Sequence, residues 1–293
     1  MHIPVLLNEI TELLPIPPGG ILLDGTLGNG GHSKAIIERS KGPITIVGLD
    51  KDSKAIERAR KNLEGTNAEL ILEKADYRDF KKVMAANGIT EIDGFLLDLG
   101  FSSDQLENSG RGFSFQRPEP LLMTLDDDPK EGHITASEIV NHWAKENLEI
   151  IFRNYGEERS ARRIAEAIVD YRGMKSIETS LELGDLIAEA VGRRGKVHPA
   201  TKTFQALRIA VNDEIGSLRE TLPRAAEVLK PGGRLAVISF HSLEDRVVKQ
   251  FGKQIPELGA LTKKPIVAGR GETSVNPRAR SAKLRVFSKV MTI

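Results

Sequence analysis

Cysteine is absent from all 293 residues. Disulfides, thiolate-held zinc, iron–sulfur clusters and cysteine nucleophiles are therefore excluded, and a reducing, cytoplasmic setting is the expectation. An excess of either charge is also missing. The chain carries 42 Lys and Arg against 41 Asp and Glu, so any nucleic-acid surface must come from local clustering. No apolar run approaches the roughly 20 residues of a membrane span. The opening stretch "MHIPVLLNEITELLP" lacks a basic n-region and carries Glu9 and Glu12, so it does not read as a signal peptide. There is neither an internal repeat nor a low-complexity segment. With 40% hydrophobic residues, the length suffices for one large core or two ordinary ones.

What is present begins with four short apolar runs, "GILLDGT", "ITIVGLD", "AELILEKAD" and "IDGFLLDLG", alternating with helical patterns over the first hundred residues. This alternation predicts parallel strands with crossover helices. In "DSKAIERARKNL", Ala55, Ile56, Ala59 and Leu63 share one helical stripe, which suits a cover for a sheet. Beyond Gly100 the strand pattern stops. From about Phe101 to Asn212, "SARRIAEAIVDY", "SLELGDLIAEAVG" and "TKTFQALRIAV" have helical spacing and predict a helical insertion. Strand logic resumes in "SLRETLPRAAEVLKPGGRLAVISF", read as a helix ending at Pro231-Gly232-Gly233 and then a buried strand. "AKLRVFSKVMTI" alternates enough to add a last strand.

The decapeptide "DGTLGNGGHS", Asp24 to Ser33, follows the first predicted strand and opens a helix. A Gly-rich turn there lets backbone N–H groups approach a ligand closely. A dinucleotide fingerprint needs a third glycine or alanine where this chain has Ser33. The acid at Asp24 instead suits a ligand with an ammonium and a sulfonium, as in S-adenosylmethionine sites of Rossmann-like methyltransferases. Asp50 ends the second strand, where an acid can accept both hydroxyls of a ribose. Asp76-Tyr77 ends the third, within reach of an adenine, and Asp98 ends the fourth. Taken singly, such acids could equally cap the turns and helices that follow them.

At "DLGFSSDQL" and "RGFSF" the sequence resembles the bacterial MraW/RsmH family, the 16S ribosomal RNA cytosine-N(4) methyltransferases. "YGEERSARRIAEAIV", "HPATKTFQALRIAVNDEI", "LKPGGRLAVISFHSLEDRVVK" and "NPRARSAKLRV" carry the likeness to the last strand. The resemblance implies an α/β fold: a Rossmann-like class I methyltransferase sheet, mostly parallel with an antiparallel C-terminal strand, plus a helical insertion domain. Residues 1–105 and 212–293 would form the discontinuous S-adenosylmethionine-dependent core, and 106–211 the insertion that recognises substrate RNA. Donor contacts fall by motif position on Gly30, Gly31, His32, Asp50, Tyr77, Asp98 and Gln105. The implied target is the 4-amino group of a cytidine in the decoding region of the small ribosomal subunit. A homodimer is left open. One departure stands out: the family reads "PLDMRM" after "RGFSF", whereas this chain has "PLLMTLDDD", with Leu122 and Thr124 in place of an acid and an arginine.

An exocyclic amine of cytosine is a weak nucleophile, so positioning and dipoles must supply most of the catalysis. Asp98, with Ser102 nearby in Asp98-Leu99-Gly100-Phe101-Ser102-Ser103, is the expected catalytic neighbourhood; Phe101 could stack on a base or belong to the core. His241 in "ISFHSLEDR" could take a proton from the amine, or be a turn residue beside a helix capped by Ser242. His32 has no second histidine at ligand spacing, so a metal is not expected. For RNA, Lys263 to Lys289 holds eight basic residues against Glu272 alone, with Arg278, Arg280 and Lys283 the candidates for phosphate contact. A solvated loop would look the same. "GRRGK" at 192–196 and Arg159, Arg162 and Arg163 add charge in the insertion, the latter interleaved with glutamates that could form helix-surface ion pairs.

Overall fold

In this computed structural model, residues 3–100, 106, 109–130, 132–192 and 197–290 are described. The chain divides into two compact units, residues 1–100 with 215–293, and residues 101–214.

The first unit is built on a seven-stranded sheet. Along the chain come α1 (Leu7–Leu13), β1 (Ile21–Asp24), α2 (Gly31–Arg39), β2 (Ile44–Asp50), α3 (Ser53–Leu63), β3 (Ala68–Lys74), α4 (Phe80–Ala86) and β4 (Ile92–Asp98). After the second unit, α10 (Glu214–Val228) leads to β5 (Leu229–Ser239), α11 (Ser242–Gln254), β6 (Leu258–Ala260), α12 (Arg270–Val275) and β7 (Lys283–Lys289). The strand order is β3-β2-β1-β4-β5-β7-β6. Strands β1 to β5 pair in parallel, while β7 runs antiparallel to β5 and β6 antiparallel to β7. This is the expected Rossmann-like, mostly parallel sheet with its antiparallel C-terminal strand; the short β6 left no readable signal. The order reverses at β1, between β2 and β4, and sheets of this kind bind ligands beyond the carboxyl ends of the strands at such a point.

The apolar runs form the core for the reason their composition suggests: strands covered on both faces need side chains that lose nothing by leaving water. Leu22, Leu23, Ile46, Val47, Phe95, Leu96 and Leu97 are all buried. Helix α3 turns Ala55, Ile56, Ala59 and Leu63 inward, and the Asp52 carboxylate caps it by accepting the Lys54 N–H at 3.0 Å. One boundary is corrected. Helix α10 ends at Val228, and Pro231-Gly232-Gly233 lies inside β5. Pairing jumps there from Leu229 opposite Ile92 to Arg234 opposite Gly94. A proline without an N–H and a glycine at φ 80° suit an irregularity in a strand, where no ladder bond is required.

The second unit is helical: α5 (Ala136–His142), α6 (Lys145–Asn154), α7 (Ala161–Arg172), α8 (Ser180–Val191) and α9 (Thr201–Asn212). Its core gathers Phe152, Ile164, Ala165, Ile168, Leu183 and Leu207. Asn212 pins the segment that departs from the family pattern. Its amide donates to Met123 O and Arg208 O and accepts the Leu125 N–H, each at 2.8 Å. Thr124 is buried and Leu122 is exposed. Replacing Asn212 with Ala strands a buried N–H and a buried carbonyl, and should lower unfolding stability by about 3 kcal/mol in a denaturant titration. Among the described residues, no helix is long and apolar enough to cross a membrane.

Candidate functional site

Strands β1, β2 and β4 deliver Asp24, Asp50 and Asp98 to one edge of the first unit's sheet, and the three carboxylates have different surroundings. Asp24 is closed in. Its Oδ2 accepts from Ser33 Oγ at 2.7 Å and its Oδ1 from the Thr26 N–H at 3.2 Å. Burial pushes its pKa up, against those bonds and His32. The serine that spoils the dinucleotide fingerprint is thus the clasp between β1 and α2.

Asp50 holds the glycine loop. Its Oδ2 accepts the Gly28 N–H at 2.8 Å, and its Oδ1 accepts the Asp52 N–H at 2.9 Å. Each oxygen retains a lone pair, which is what two vicinal hydroxyls would need. Burial pushes this carboxyl up to about 6. Gly28 and Gly30 take positive φ of 52° and 73°, a conformation that lets the loop turn back into α2. A Cβ on Gly31 would come within 2.5 Å of Pro4 Cγ, so its bareness serves packing against the N-terminal segment.

Asp76 is engaged with its neighbours, accepting the Arg78 N–H at 2.9 Å and pairing with Lys51 Nζ at 2.7 Å. Tyr77 opens the 3-10 turn Tyr77–Asp79, against Gly25, where an added Cβ would lie 3.0 Å from Tyr77 Cβ.

Asp98 is the least satisfied of the acids. Its backbone N–H donates to Thr26 Oγ1 at 2.6 Å, and its side chain is 19% exposed. Oδ2 lies 3.8 Å from His32 Nδ1. Oδ1 is buried without a hydrogen-bond partner among the described residues. Burial pushes the carboxyl up to about 6; His32 and Arg278 pull it down, and Asp24 and Glu244 push it further up. His32 is itself buried, with Nε2 2.9 Å from Val5 O.

Sequence reasoning missed the segment that supplies this carbonyl. Leu6 sits at φ 54°. Its N–H donates to Glu272 Oε1 at 2.8 Å, and Asn276 Nδ2 donates to Ile3 O at 3.0 Å. These partners lie 266 and 273 residues apart in the chain, beyond any local pattern.

The remaining candidates fall in varied places. His241, rather than Ser242, is the cap of α11. Its Nδ1 accepts the Glu244 N–H at 3.3 Å while Glu244 Oε2 accepts the His241 N–H at 3.2 Å, a reciprocal box that a ring nitrogen can build as a hydroxyl would. His241 Nε2 lies 3.1 Å from Glu244 Oε1. Both ring nitrogens therefore face Glu244. Arg278 lies on the 3-10 turn Pro277–Arg280, with its guanidinium 5.7 Å from the centre of the Phe240 ring. Lys283 and Arg285 share Asp245, at 3.4 and 2.8 Å. Against the cost of its burial, Arg285 and Lys283 hold that carboxyl below the usual range. Arg280, Arg270, Lys263 and Lys264 are exposed. In the second unit, Arg162 pairs with Glu166 at 3.0 Å, one turn along the same helix. Phe101, Ser102, Ser103, Gln105 and residues 193–196 lie outside the described residues.

The second unit also holds a cavity of about 490 Å³, lined by Phe113, Phe115 and Phe204 with Gln116, Arg117 and Gln205 among its polar groups. Phe115 stacks on His198 with ring centres 4.3 Å apart.

Known proteins resemble the chain from end to end. It is 44% identical to ribosomal RNA small subunit methyltransferase H of Heliobacterium modesticaldum, covering 99% of this chain and 98% of that one. The proteins of the same name from Deinococcus radiodurans and Acetivibrio thermocellus are each 46% identical, over 97% and 99% of this chain and 88% and 99% of theirs. Among solved structures, a methyltransferase of Streptococcus mutans in complex with SAH is 13% identical, with a TM-score of 0.44 over 97% of this chain and 95% of that one. The profile of the MraW methylase family matches residues 1–290. On that match and this level of identity, the chain belongs to the MraW methylase family.

Proposed function

We propose that the protein transfers a methyl group from S-adenosylmethionine to the exocyclic 4-amino group of a cytidine in the decoding region of 16S ribosomal RNA. S-adenosylmethionine is the methyl donor of the family, and the residues of the first unit fit it. The loop from Asp24 to Gly31 contains no Lys or Arg, and the strand ends around it carry acids, an environment that favours a sulfonium and an ammonium over a pyrophosphate. Asp50, fixed by the loop, would take the ribose hydroxyls; Asp98, through its charge, and Gly30, Gly31, Tyr77 and Gln105 would complete the contacts. When bound, the donor supplies a methyl group already activated by its positive sulfur.

The observation that carries the reading is Oδ1 of Asp98 at the end of β4, buried and without a hydrogen-bond partner among the described residues. An ionised oxygen there accepts one N–H of the target amine, and as the nitrogen takes the methyl from sulfur that proton passes through the carboxylate to water. The nitrogen lone pair is then less delocalised into the ring and is aimed by the hydrogen bond. Ser102 is proposed as a second polar group for the base. His241 was the candidate proton acceptor, and its geometry supports a different part, that of holding Glu244 and the start of α11. The name shared by the relatives supports ribosomal RNA of the small subunit as substrate, and the aromatic cavity of the insertion supports a role for residues 106–211 in recognising an unstacked base.

Purified protein incubated with undermethylated small subunits and labelled S-adenosylmethionine is expected to place label in N4-methylcytidine of the decoding region. Label elsewhere, or none, overturns the proposal; binding of subunits without label favours an assembly factor. Arg278 and Arg280 are proposed to contact phosphate, with Lys283 secondary because Asp245 already neutralises it. Arg280→Ala should weaken RNA binding and reduce the slope of log affinity against log salt by about 0.7–0.9, the share of one phosphate contact. Donor affinity, measured by calorimetry, should not move.

A further inference from the structure

We infer that His32 is a positioning residue for methyl transfer, acting through Asp98 by holding that carboxylate ionised and oriented while Oδ1 receives the amine. The inference rests on the assignment of Asp98 above. Resemblance puts His32 among the donor contacts, but its ring faces elsewhere. Nε2 meets the Val5 carbonyl at 2.9 Å. A carbonyl only accepts, so Nε2 carries a hydrogen in every protonation state. Nδ1 is thereby the nitrogen left for another contact, and it faces Asp98 Oδ2 at 3.8 Å. Without a proton, Nδ1 would turn a lone pair toward a carboxylate. With one, it forms a pair of opposite charges in a poorly hydrated site, where such attraction is strongest.

The groups around Asp98 make this pairing consequential. Burial, with Asp24 and Glu244, drives the carboxyl toward its neutral form, and His32 and Arg278 oppose it. A neutral Asp98 would present a hydroxyl where the amine needs an acceptor. The imidazole is also held in place from behind. Val5 precedes Leu6, which is fixed in a left-handed conformation and bonded to Glu272. Gly31, next to His32, packs on Pro4. The ring therefore has a rigidly held acceptor, the Val5 carbonyl, on one side and the strand-end acid on the other, the arrangement that sets a tautomer rather than one that grips a ligand.

The test uses donor-free protein first. Asp98 is followed by carbon NMR of labelled aspartate carboxyls in the wild type, His32→Asn and His32→Gln, with thermal melting as the check on folding. The expected result is an upward move of the Asp98 midpoint by about one unit in both variants, the scale of one lost neighbouring charge. In the methylation assay the acid limb of kcat should move by the same amount, with KM for S-adenosylmethionine at pH 8 changed less than about twofold. An unmoved Asp98 midpoint overturns the inference, and a raised KM accompanying it would return His32 to the donor contacts. An active Asp98→Asn enzyme would overturn the assignment of Asp98 instead, and is distinguishable because the NMR shift in the His32 variants does not depend on turnover.

Discussion

Asp98→Asn is expected to lower kcat for methyl transfer by about 10²–10³-fold, the loss seen when one preorganised polar group is removed from a transition state. The amide has the same shape, and the Asp98 backbone bond to Thr26 Oγ1 does not depend on the side chain. What disappears is the charge and the certainty that an acceptor faces the amine. The fold should not suffer. In the folded protein the carboxyl is pushed up to about 6 from an ordinary 3.8, so above pH 6 its ionisation opposes folding. A neutral amide removes that opposition, which amounts to up to about 3 kcal/mol. The variant should therefore be nearly inactive and melt at the same temperature as wild type or higher. A variant that melts normally and methylates at the wild-type rate would remove Asp98 from the reaction.

Donor affinity is expected to fall by about 100-fold between pH 8 and pH 5. Asp50 and Asp98 are both pushed up to about 6 by burial. At pH 8 both are ionised and attract a cationic donor. One unit below the midpoint each is ionised only about a tenth of the time, and a site that needs both loses about tenfold for each. The donor-free protein responds in the opposite direction. Its folded-state midpoints lie above the unfolded value of 3.8, so as pH falls through this window the folded chain takes up protons that the unfolded chain does not yet bind. The contribution of these two groups to stability is fully present below about 4 and is lost as pH rises through about 6. Calorimetric titrations across this range, paired with thermal melts of free protein, should show the two trends crossing. An affinity flat from pH 8 to pH 5 would mean that these carboxylates do not face the donor.

Much of the fold was legible because it rests on local pattern. Apolar runs such as "ITIVGLD" and the stripe of Ala55, Ile56, Ala59 and Leu63 carry their burial in their spacing, and an insertion made of amphipathic helices announces itself in the same way. The end of α10 was misplaced because Pro231-Gly232-Gly233 signals a helix stop in most contexts, while here the register with β4 absorbs it as a bulge. The strand-end acids could be placed on one sheet edge from topology alone. Their separate tasks could not. Whether Asp24 faces a ligand or Ser33, and whether Lys283 faces RNA or Asp245, depends on partners fixed only in three dimensions. His241 shows a different limit, since a histidine in a helix-starting turn followed by Ser is normally read past when looking for a cap, although a ring nitrogen serves as well.

The hold of Glu272 and Asn276 on Leu6 and Ile3 has a consequence for how the protein is made. The glycine loop and its first acids leave the ribosome early, yet the carbonyl that orients His32 is fastened by side chains translated more than 260 residues later. Contacts of such long range form late and slow the approach to the native state. A nascent chain can thus acquire its central strands well before it acquires a competent reaction centre, and activity becomes a late milestone of synthesis.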